Sequence, residues 1–267
     1  MGLGPTRLLD AHVSEQKFEA LGWRVRVDYV QPVDETLSEL ARVFELDRRL
    51  AGRVSAAIAK GAFPLVLAGN CISCLGTVAG ADAGSIGVVW FDAHADFDTP
   101  DDNLSGFLDV MGLAMLTGSG WRALRETIPG FVPVDEERVV LAGVRDVEAY
   151  QRARLERSHI RTVPAPRWRQ ADFEAALDEL HRRVARIYLH IDLDALDLTE
   201  GMANQYAAPG GLTLDQLLAA VHAVFARFRV SAAALAAYDP SYDGDGRLAQ
   251  RASTIMYSIA QQALRER

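Results

Sequence analysis

The chain has 267 residues, of which 49% are hydrophobic and 24% charged, and its formal net charge is −8 at pH 7. An acidic chain with no basic run argues against nucleic acid or an anionic membrane as its main partner. No apolar run reaches the roughly 18 residues of a membrane span, and the only two cysteines lie close together, which favours a reducing compartment. We therefore expect a cytoplasmic protein with one domain over residues 1–267.

Short apolar runs alternate with amphipathic stretches along the chain. The predicted strands are Trp23–Val30, Phe63–Leu67, Ile86–Phe91, Arg138–Ala142, Ile187–Ile191 and Val230–Tyr238. The predicted helices are Leu37–Lys60, Asp172–Ala185, Leu214–Phe228 and Leu248–Leu264, the third with Thr213 as its cap. Apolar strands separated by helices predict an α/β protein, a three-layer α/β/α fold with a central, mainly parallel sheet.

Chemically reactive side chains follow three of the predicted strands. Phe63–Leu67 leads to Ala68-Gly69-Asn70-Cys71, Ile86–Phe91 to Asp92-Ala93-His94-Ala95-Asp96, and Ile187–Ile191 to Asp192-Leu193-Asp194. Because the carboxyl ends of parallel strands meet at one edge of a sheet, we expect these segments to share a site. The polar loop Thr99–Gly106 should lie at its rim.

Buried carboxylates and a histidine are costly unless a partner satisfies them, and a divalent metal ion satisfies several at once. Carboxylates with one or two nitrogen ligands suit Mn²⁺, Fe²⁺, Co²⁺ or Zn²⁺. Four aspartates and a histidine exceed what one ion usually needs, so the pattern favours two neighbouring ions. Such a pair supports hydrolysis, because it acidifies a bound water and polarises the group under attack. Either motif alone could instead be a solvated turn or a helix cap.

The order and spacing of several motifs resemble the arginase (ureohydrolase) family. The matching pieces are Gly4-Pro5, Asp92-Ala93-His94-Ala95-Asp96, Phe97-Asp98-Thr99-Pro100, Gly143-Val144-Arg145-Asp146-Val147-Glu148, Asp192-Leu193-Asp194-Ala195-Leu196-Asp197 and Ala208-Pro209-Gly210-Gly211-Leu212-Thr213. The resemblance implies an arginase-like fold, a binuclear centre that typically holds Mn²⁺, and a homo-oligomer, either a trimer or a hexamer. It also implies hydrolysis of a C–N bond in a guanidino, formimino or related amidine group.

The resemblance also implies roles for individual residues. Asp92 and Asp192 resemble the carboxylates that bridge the two metals, and Asp96 resembles a further ligand of the first metal. His94 and Asp194 resemble ligands of the second metal, and Asp194 also steers the attacking water. The positions that contact substrate are Asn70, Ser105, Phe107 and Glu148, and the positions that support the ligands from behind are His190, by a hydrogen bond, and Asp197.

The chain departs from the family pattern at Cys71, where the family has the first metal's histidine. Thiolate is a softer ligand than imidazole and suits Zn²⁺ or Fe²⁺ better than Mn²⁺. If Cys71 stays protonated or turns away, the first site loses a ligand. The alternative interpretation is a small buried residue, as cysteine often is, and Cys74 is expected to pack in that way.

A second departure is Asp109, which stands where arginases have a proton-shuttling histidine. A carboxylate can act as acid or base if burial raises its pKa, so Asp109 is a candidate catalytic residue. The alternative is that Asp109 caps the helix that runs through Leu113 and Leu116. Close by, Phe107 replaces a polar substrate contact with an apolar ring.

A third departure is Ala237, where arginases and agmatinases carry a glutamate that pairs with the guanidinium. Alanine cannot do so, and only Asp239 or Asp243 could substitute. The predicted substrate is therefore less basic than arginine, for example an N-hydroxylated or acylated guanidine, a formimino group or another amidine. The family's first strand would also precede Gly4-Pro5. Either that strand is missing, which could leave a sheet edge uncovered, or the given start of the chain is late.

The sequence thus predicts a metal-dependent hydrolase of a guanidino- or amidine-type small molecule. Asp109 would transfer a proton to the leaving amine. A catalytically degenerate binding or scaffold protein is the alternative, motivated by the three replaced positions. Amide deacetylation ranks third, because the paired histidines that deacetylases of this fold use are not evident.

Overall fold

The computed structural model describes residues 1–12, 15–30, 33–103 and 105–265. The strands are β1 Leu65–Leu67, β2 Ile86–Phe91, β3 Val139–Ala142, β4 Arg161–Val163, β5 Arg186–Asp192 and β6 Arg229–Ala236. The helices are α1 Gly4–His12, α2 Glu15–Ala20, α3 Glu39–Ala59, α4 Cys74–Gly80, α5 Gly112–Leu116, α6 Arg122–Arg125, α7 Ala149–Arg157, α8 Gln170–His181, α9 Leu214–Phe225 and α10 Arg247–Arg265. Within these described ranges, no helix has the length and apolar character needed to cross a membrane.

The six strands form one sheet in the order β1-β6-β5-β2-β3-β4, and every neighbouring pair is parallel. Helices cover both of its faces, so the predicted three-layer α/β/α fold is confirmed. The central strands are buried on both sides, which explains why they are apolar throughout. Parallel order also brings the carboxyl ends of β1, β6, β5, β2 and β3 to the same edge.

Successive side chains of each strand point to opposite faces of the sheet, and this divides the core into two layers. Val89, Phe91 and Leu189 pack with side chains of α8, α9 and α10. Trp90 and Tyr188 point to the other face and pack with side chains of α3, α4 and α5. Each fully buried side chain of this kind contributes about 1.5–3 kcal/mol relative to an exposed one. Burial on both faces therefore fixes the positions of β2 and β5, the two strands that end in the acidic motifs.

The helices begin at recognisable caps. Thr213 and Gln216 form a capping box at the start of α9, in which each side chain bonds the other residue's backbone N–H. The predicted cap is thus confirmed. Ser38 caps α3 by accepting a hydrogen bond from the backbone nitrogen of Ala41 at 3.3 Å.

The sequence-based assignment is wrong for two strands, and the short helices α1, α2, α6 and α7 were not predicted. Trp23–Val30, predicted as a strand, has no strand in the structure. The Trp23 indole instead donates to the carbonyl of Ala260 in α10 at 2.7 Å, and Asp28 pairs with Arg53 of α3 at 3.1 Å. Conversely, β4 was not predicted, because a three-residue edge strand with only Val163 buried carries no alternating or apolar signal.

Candidate metal centre

The three motif segments meet at the carboxyl edge of the sheet. The ligand atoms of Cys71, Asp92 and Asp192 lie within 4.8 Å of one another, and we call these residues the cysteine group. The ligand atoms of Asp92, His94 and Asp194 satisfy the same limit, and we call these the histidine group. Asp92 belongs to both groups. Two sets of ligands that share one carboxylate are the arrangement expected for two neighbouring metal ions.

Asp92 follows the last residue of β2 and its side chain is fully buried. One carboxylate oxygen accepts a hydrogen bond from the Trp90 indole at 2.9 Å. The other accepts one from the backbone nitrogen of His94 at 2.7 Å. These bonds hold the carboxylate in a single orientation between the two groups.

His94 lies between two acidic side chains. Its Nδ1 is 3.3 Å from Asp92 and 3.4 Å from Asp194, and its Nε2 is 3.7 Å from the exposed Asp146. Burial alone would lower the pKa of His94, but hydrogen bonds to Asp194 and Asp92 and their negative charges outweigh it and raise that pKa to about 12. Nδ1 therefore sits where both carboxylates concentrate negative charge, which is where a cation would bind.

Asp192 and Asp194 are joined to the rest of the site by backbone and side-chain bonds. Asp192 accepts a hydrogen bond from the backbone nitrogen of Asp194 at 2.8 Å and one from the Cys71 thiol at 3.0 Å. Asp194 accepts from the backbone nitrogen of Ala93 at 3.1 Å. The last bond ties the end of β5 to the segment after β2.

The electrostatics of the cluster favour a cation. Burial, together with repulsion from neighbouring carboxylates, raises the pKa of Asp92, Asp96 and Asp192. Burial would also raise the pKa of Asp194, but the hydrogen bond and charge of His94 hold it at about 2. Several acids this close can all ionise only if positive charge lies among them. Sulfur, nitrogen and carboxylate donors at these distances fit divalent transition metals.

Asp96, predicted as a ligand of the first metal, is buried close to the site but belongs to neither group. Its backbone adopts the left-handed conformation, with φ at 46°. Its carbonyl accepts hydrogen bonds from the backbone nitrogens of Leu113 and Ala114, at 2.9 and 3.1 Å. Asp96 thus anchors α5, and its role as a ligand stays a prediction.

Asp109 begins a short 3-10 turn, Asp109–Met111, that leads into α5. Its carboxylate accepts a hydrogen bond from the backbone nitrogen of Cys71 at 2.6 Å. Burial raises the pKa of Asp109 to about 7, against the lowering effect of that bond. The carboxylate therefore holds the segment that carries Cys71. A pKa near neutral pH is also what acid or base chemistry needs.

Arg145 and Asn204 support the acidic segment, and sequence reasoning assigned neither a role. The Arg145 guanidinium donates to the carbonyls of Asp194 and Ala208, each at 2.7 Å. The buried Asn204 donates to the carbonyl of Ala237 at 2.9 Å and lies 3.4 Å from the Asp194 carboxylate. Arg145 was visible only as part of a family motif, and no local signal marked Asn204.

His190 is fully buried beside the centre. Its ring stacks on Trp90 with centroids 3.7 Å apart, because the register of β2 and β5 makes the two residues direct neighbours. Its Nδ1 lies 2.7 Å from the Tyr188 hydroxyl, and its Nε2 has no hydrogen-bond partner in the described part of the chain. Burial lowers the pKa of His190 to about 3. His190 thus contacts Trp90, whose indole donates to Asp92. It makes no direct hydrogen bond to a predicted ligand among the described residues.

Asp197 and Glu148 organise turns around the centre. Asp197 accepts hydrogen bonds from the backbone nitrogens of Gly210 and Gly211 at 2.7 and 3.0 Å. Glu148 is the N-terminal cap of α7 and shares a capping box with Gln151. The support and substrate roles predicted for Asp197 and Glu148 stay predictions.

The other predicted substrate contacts lie on two loops. Asn70 precedes the 3-10 turn Cys71–Ser73, and the exposed Ser105 hydroxyl donates to Asn103 at 3.0 Å. The Phe107 ring meets the ring of Tyr206 with centroids 5.4 Å apart. The predicted loop Thr99–Gly106 includes residue 104, which lies outside the described residues. The aromatic contact links the loop after β2 to the loop after β5.

A parallel α/β sheet with two ligand groups at its carboxyl edge is typical of metal-dependent hydrolases. The sequence model of the arginase family matches residues 2–261. An arginase from Bacillus caldovelox is 29% identical over 233 residues, covering 85% of this chain and 78% of that protein. Crystal structures of arginases from Bacillus subtilis and Bacillus cereus superpose with TM-scores of 0.87 and 0.86, each at 25% identity and covering 97% of this chain and 91% of the other. The chain belongs to the arginase family.

Proposed function

We propose that the protein is a metal-dependent hydrolase that cleaves a C–N bond in a guanidino- or amidine-type small molecule. The observation that carries this proposal is the pair of ligand groups that share Asp92 at the carboxyl edge of the sheet. Membership of the arginase family supports the same chemistry.

The cysteine group and the histidine group would hold two divalent ions; the family resemblance implies Mn²⁺, and Zn²⁺ or Fe²⁺ suits the sulfur of the cysteine group. Two bound divalent ions supply an acidified water and polarise the carbon that it attacks. The chain's own residues position these elements: the bonds to Asp92 and Asp192 fix the ligands, and Asp194 lies beside His94. Burial raises the pKa of Asp109 to about 7, so its carboxyl group would carry the proton that goes to the leaving nitrogen.

The substrate that we propose is less basic than arginine, although the relatives are named arginases. Ala237 offers no carboxylate at the position where the family resemblance places the guanidinium partner. Asp239, which could have replaced it, accepts hydrogen bonds from the hydroxyl and from the backbone nitrogen of Ser241, the latter at 3.0 Å. The hydroxyl of Ser241 is the main cause that holds the pKa of Asp239 at about 2. Its carboxylate is thus already engaged within the chain.

Asp243, the other possible substitute, is also engaged. It accepts hydrogen bonds from the Tyr238 hydroxyl at 2.9 Å and from the backbone nitrogens of Leu248 and Ala249 at 3.0 and 2.8 Å. The carboxylate therefore organises the start of α10 and is not aimed at a substrate. A guanidinium cation would lack its closest anionic partner, which favours a less basic substrate such as an N-hydroxylated or acylated guanidine, a formimino compound or another amidine.

The contact between Phe107 and Tyr206 supports the same proposal. Two aromatic rings between the ligand-bearing loops offer flat apolar surface, where family members have a polar contact to substrate. Such a surface suits a planar, weakly charged group better than the charged end of arginine.

Elemental analysis and activity assays of the wild type and three variants test the proposed centre. We expect purified wild-type protein to hold up to two transition-metal ions per chain, and Asp92→Ala or Asp192→Ala to lose both metal and activity. Asp10→Ala, at an exposed position on α1, is the matched control and should keep both. Full metal content in the Asp92 and Asp192 variants would refute the proposal.

A substrate panel tests the specificity. We expect higher kcat/KM for N-hydroxylated or acylated guanidines, formimino compounds or other amidines than for arginine and agmatine. Ala237→Glu should raise the relative rate on cationic guanidines, because it places a carboxylate where the family has the guanidinium partner. The backbone at this position already carries a Cβ at φ 63°. Arginine as the preferred substrate would refute the specificity. Hydrolysis of no compound by metal-loaded protein would favour the binding or scaffold alternative.

A further inference from the structure

Cys71 is held at both ends in the centre. It is the first residue of the 3-10 turn that follows β1, and it is 1% exposed. Its backbone nitrogen donates to Asp109 at 2.6 Å, and its sulfur lies 3.0 Å from an Asp192 carboxylate oxygen. Neither the backbone nor the side chain is free to turn away from the carboxylates.

The short cysteine side chain still completes a ligand set. Its sulfur lies within 4.8 Å of ligand atoms of both Asp92 and Asp192. A zinc ion sits about 2.3 Å from a thiolate and about 2.0–2.2 Å from a carboxylate oxygen. One ion can therefore bridge these three atoms with only small side-chain adjustments. The ligand atoms of the histidine group lie within the same 4.8 Å of one another, but they are only nitrogen and oxygen.

We propose that Cys71 is a thiolate ligand that makes the cysteine group selective for Zn²⁺ over Mn²⁺, while the histidine group accepts Mn²⁺. The inference rests on the proposed metal centre and assigns different preferences to its two halves. Soft sulfur strengthens binding of Zn²⁺ more than of Mn²⁺, whereas imidazole and carboxylate ligands serve both ions. When the ion binds, the thiol loses its proton to solvent and the sulfur–metal bond forms.

Cys74 provides a matched control within the same segment. It is also fully buried, but its sulfur lies 3.6 Å from the carbonyl of Gly112 in α5 and belongs to neither ligand group. The chain has two cysteines, so a thiolate signal that survives Cys74→Ala must come from Cys71. That assignment does not depend on whether a Cys71 variant folds.

The first test is Co²⁺ binding to the full-length chain, followed by absorption spectroscopy. We expect a thiolate-to-cobalt charge-transfer band in wild type and Cys74→Ala, and its loss in Cys71→Ser. X-ray absorption of the zinc-loaded protein should show sulfur at about 2.3 Å from the metal. Bound Co²⁺ without the band would overturn this inference and leave the proposed metal centre standing. If no Co²⁺, Zn²⁺ or Mn²⁺ binds, the inference and the proposed centre both fail.

The second test is competition between equal concentrations of Zn²⁺ and Mn²⁺, with bound metal measured by elemental analysis. We expect Cys71→His to lower the bound ratio of Zn²⁺ to Mn²⁺ by about tenfold, or ~1.4 kcal/mol in relative binding free energy. Cys74→Ala should keep the wild-type ratio. An unchanged ratio in Cys71→His would overturn the proposed selectivity.

Discussion

The buried side chain of Asp47, which lies outside the metal centre, should make the free energy of unfolding depend on pH. This aspartate lies in α3, is 3% exposed and accepts a hydrogen bond from the backbone nitrogen of Gly76 in α4 at 2.9 Å. Burial raises its pKa to about 8, and the Gly76 bond opposes that rise only in part. In an unfolded chain the pKa of an aspartate is about 3.9.

The direction of the pH dependence follows from this difference. Between pH 4 and 8 the native protein binds a proton at Asp47 that the unfolded chain has released, so the free energy of unfolding falls as pH rises. The contribution is fully present below about pH 4 and is lost by about pH 8, at up to ~1.4 kcal/mol per pH unit. Asp47→Asn removes the titration but keeps an oxygen that can accept the Gly76 bond.

We therefore expect Asp47→Asn to be more stable than wild type at pH 7 by about 2–4 kcal/mol, relative to their difference at pH 4. Urea unfolding of both proteins from pH 4 to 8 measures this, and the metal ligands, being common to both, cancel in the comparison. Asp10→Asn, on the exposed side of α1, should follow the wild-type curve. Parallel curves for wild type and Asp47→Asn would show that Asp47 is not protonated in the native protein.

Three further substitutions test the site and its supports. Asp109→Asn keeps an acceptor for the Cys71 backbone but cannot transfer a proton, so kcat should fall by about 10²–10⁴-fold with unchanged metal content; wild-type kcat would exclude Asp109 as the proton donor. Asn204→Ala leaves the buried carbonyl of Ala237 without its donor and should cost about 1–3 kcal/mol of stability, measured by urea unfolding; an unchanged midpoint would contradict this. Thr213→Ala removes the capping box of α9 and should cost about 1 kcal/mol, seen as a lower Tm, whereas Thr213→Ser should retain most of it.

Much of the fold was evident in the sequence because burial on both faces leaves a strong local signal. β2, β5 and β6 appeared as apolar runs, α3 as an amphipathic period, and α9 as an amphipathic period with a cap at Thr213. The segment Trp23–Val30 was misassigned because Trp23 and Val25 pack against the core without joining the sheet, and Val27 and Tyr29 are exposed. β4 was missed because an edge strand needs little burial, and its hydrogen bonds come from β3.

The candidate site divides in the same way. The sequence by itself determined which candidate ligands exist, since Asp92, His94, Asp192 and Asp194 lie at or just after the ends of strands whose period and composition are local properties. It also showed that Cys71, Asp109 and Ala237 replace family residues. Only the tertiary structure decided which atoms meet, because ligands about a hundred residues apart are joined by strand order and register.

The tertiary structure also decided what the replacements can do. It placed the Cys71 sulfur against Asp192. It also engaged the carboxylates of Asp239 and Asp243 in hydrogen bonds within the chain. Arg145 and Asn204 gained their roles from backbone carbonyls that only folding brings within reach. The sequence specifies the chemistry of each side chain. The distances between side chains, their burial and their competition for hydrogen-bond partners depend on the packing of the whole chain.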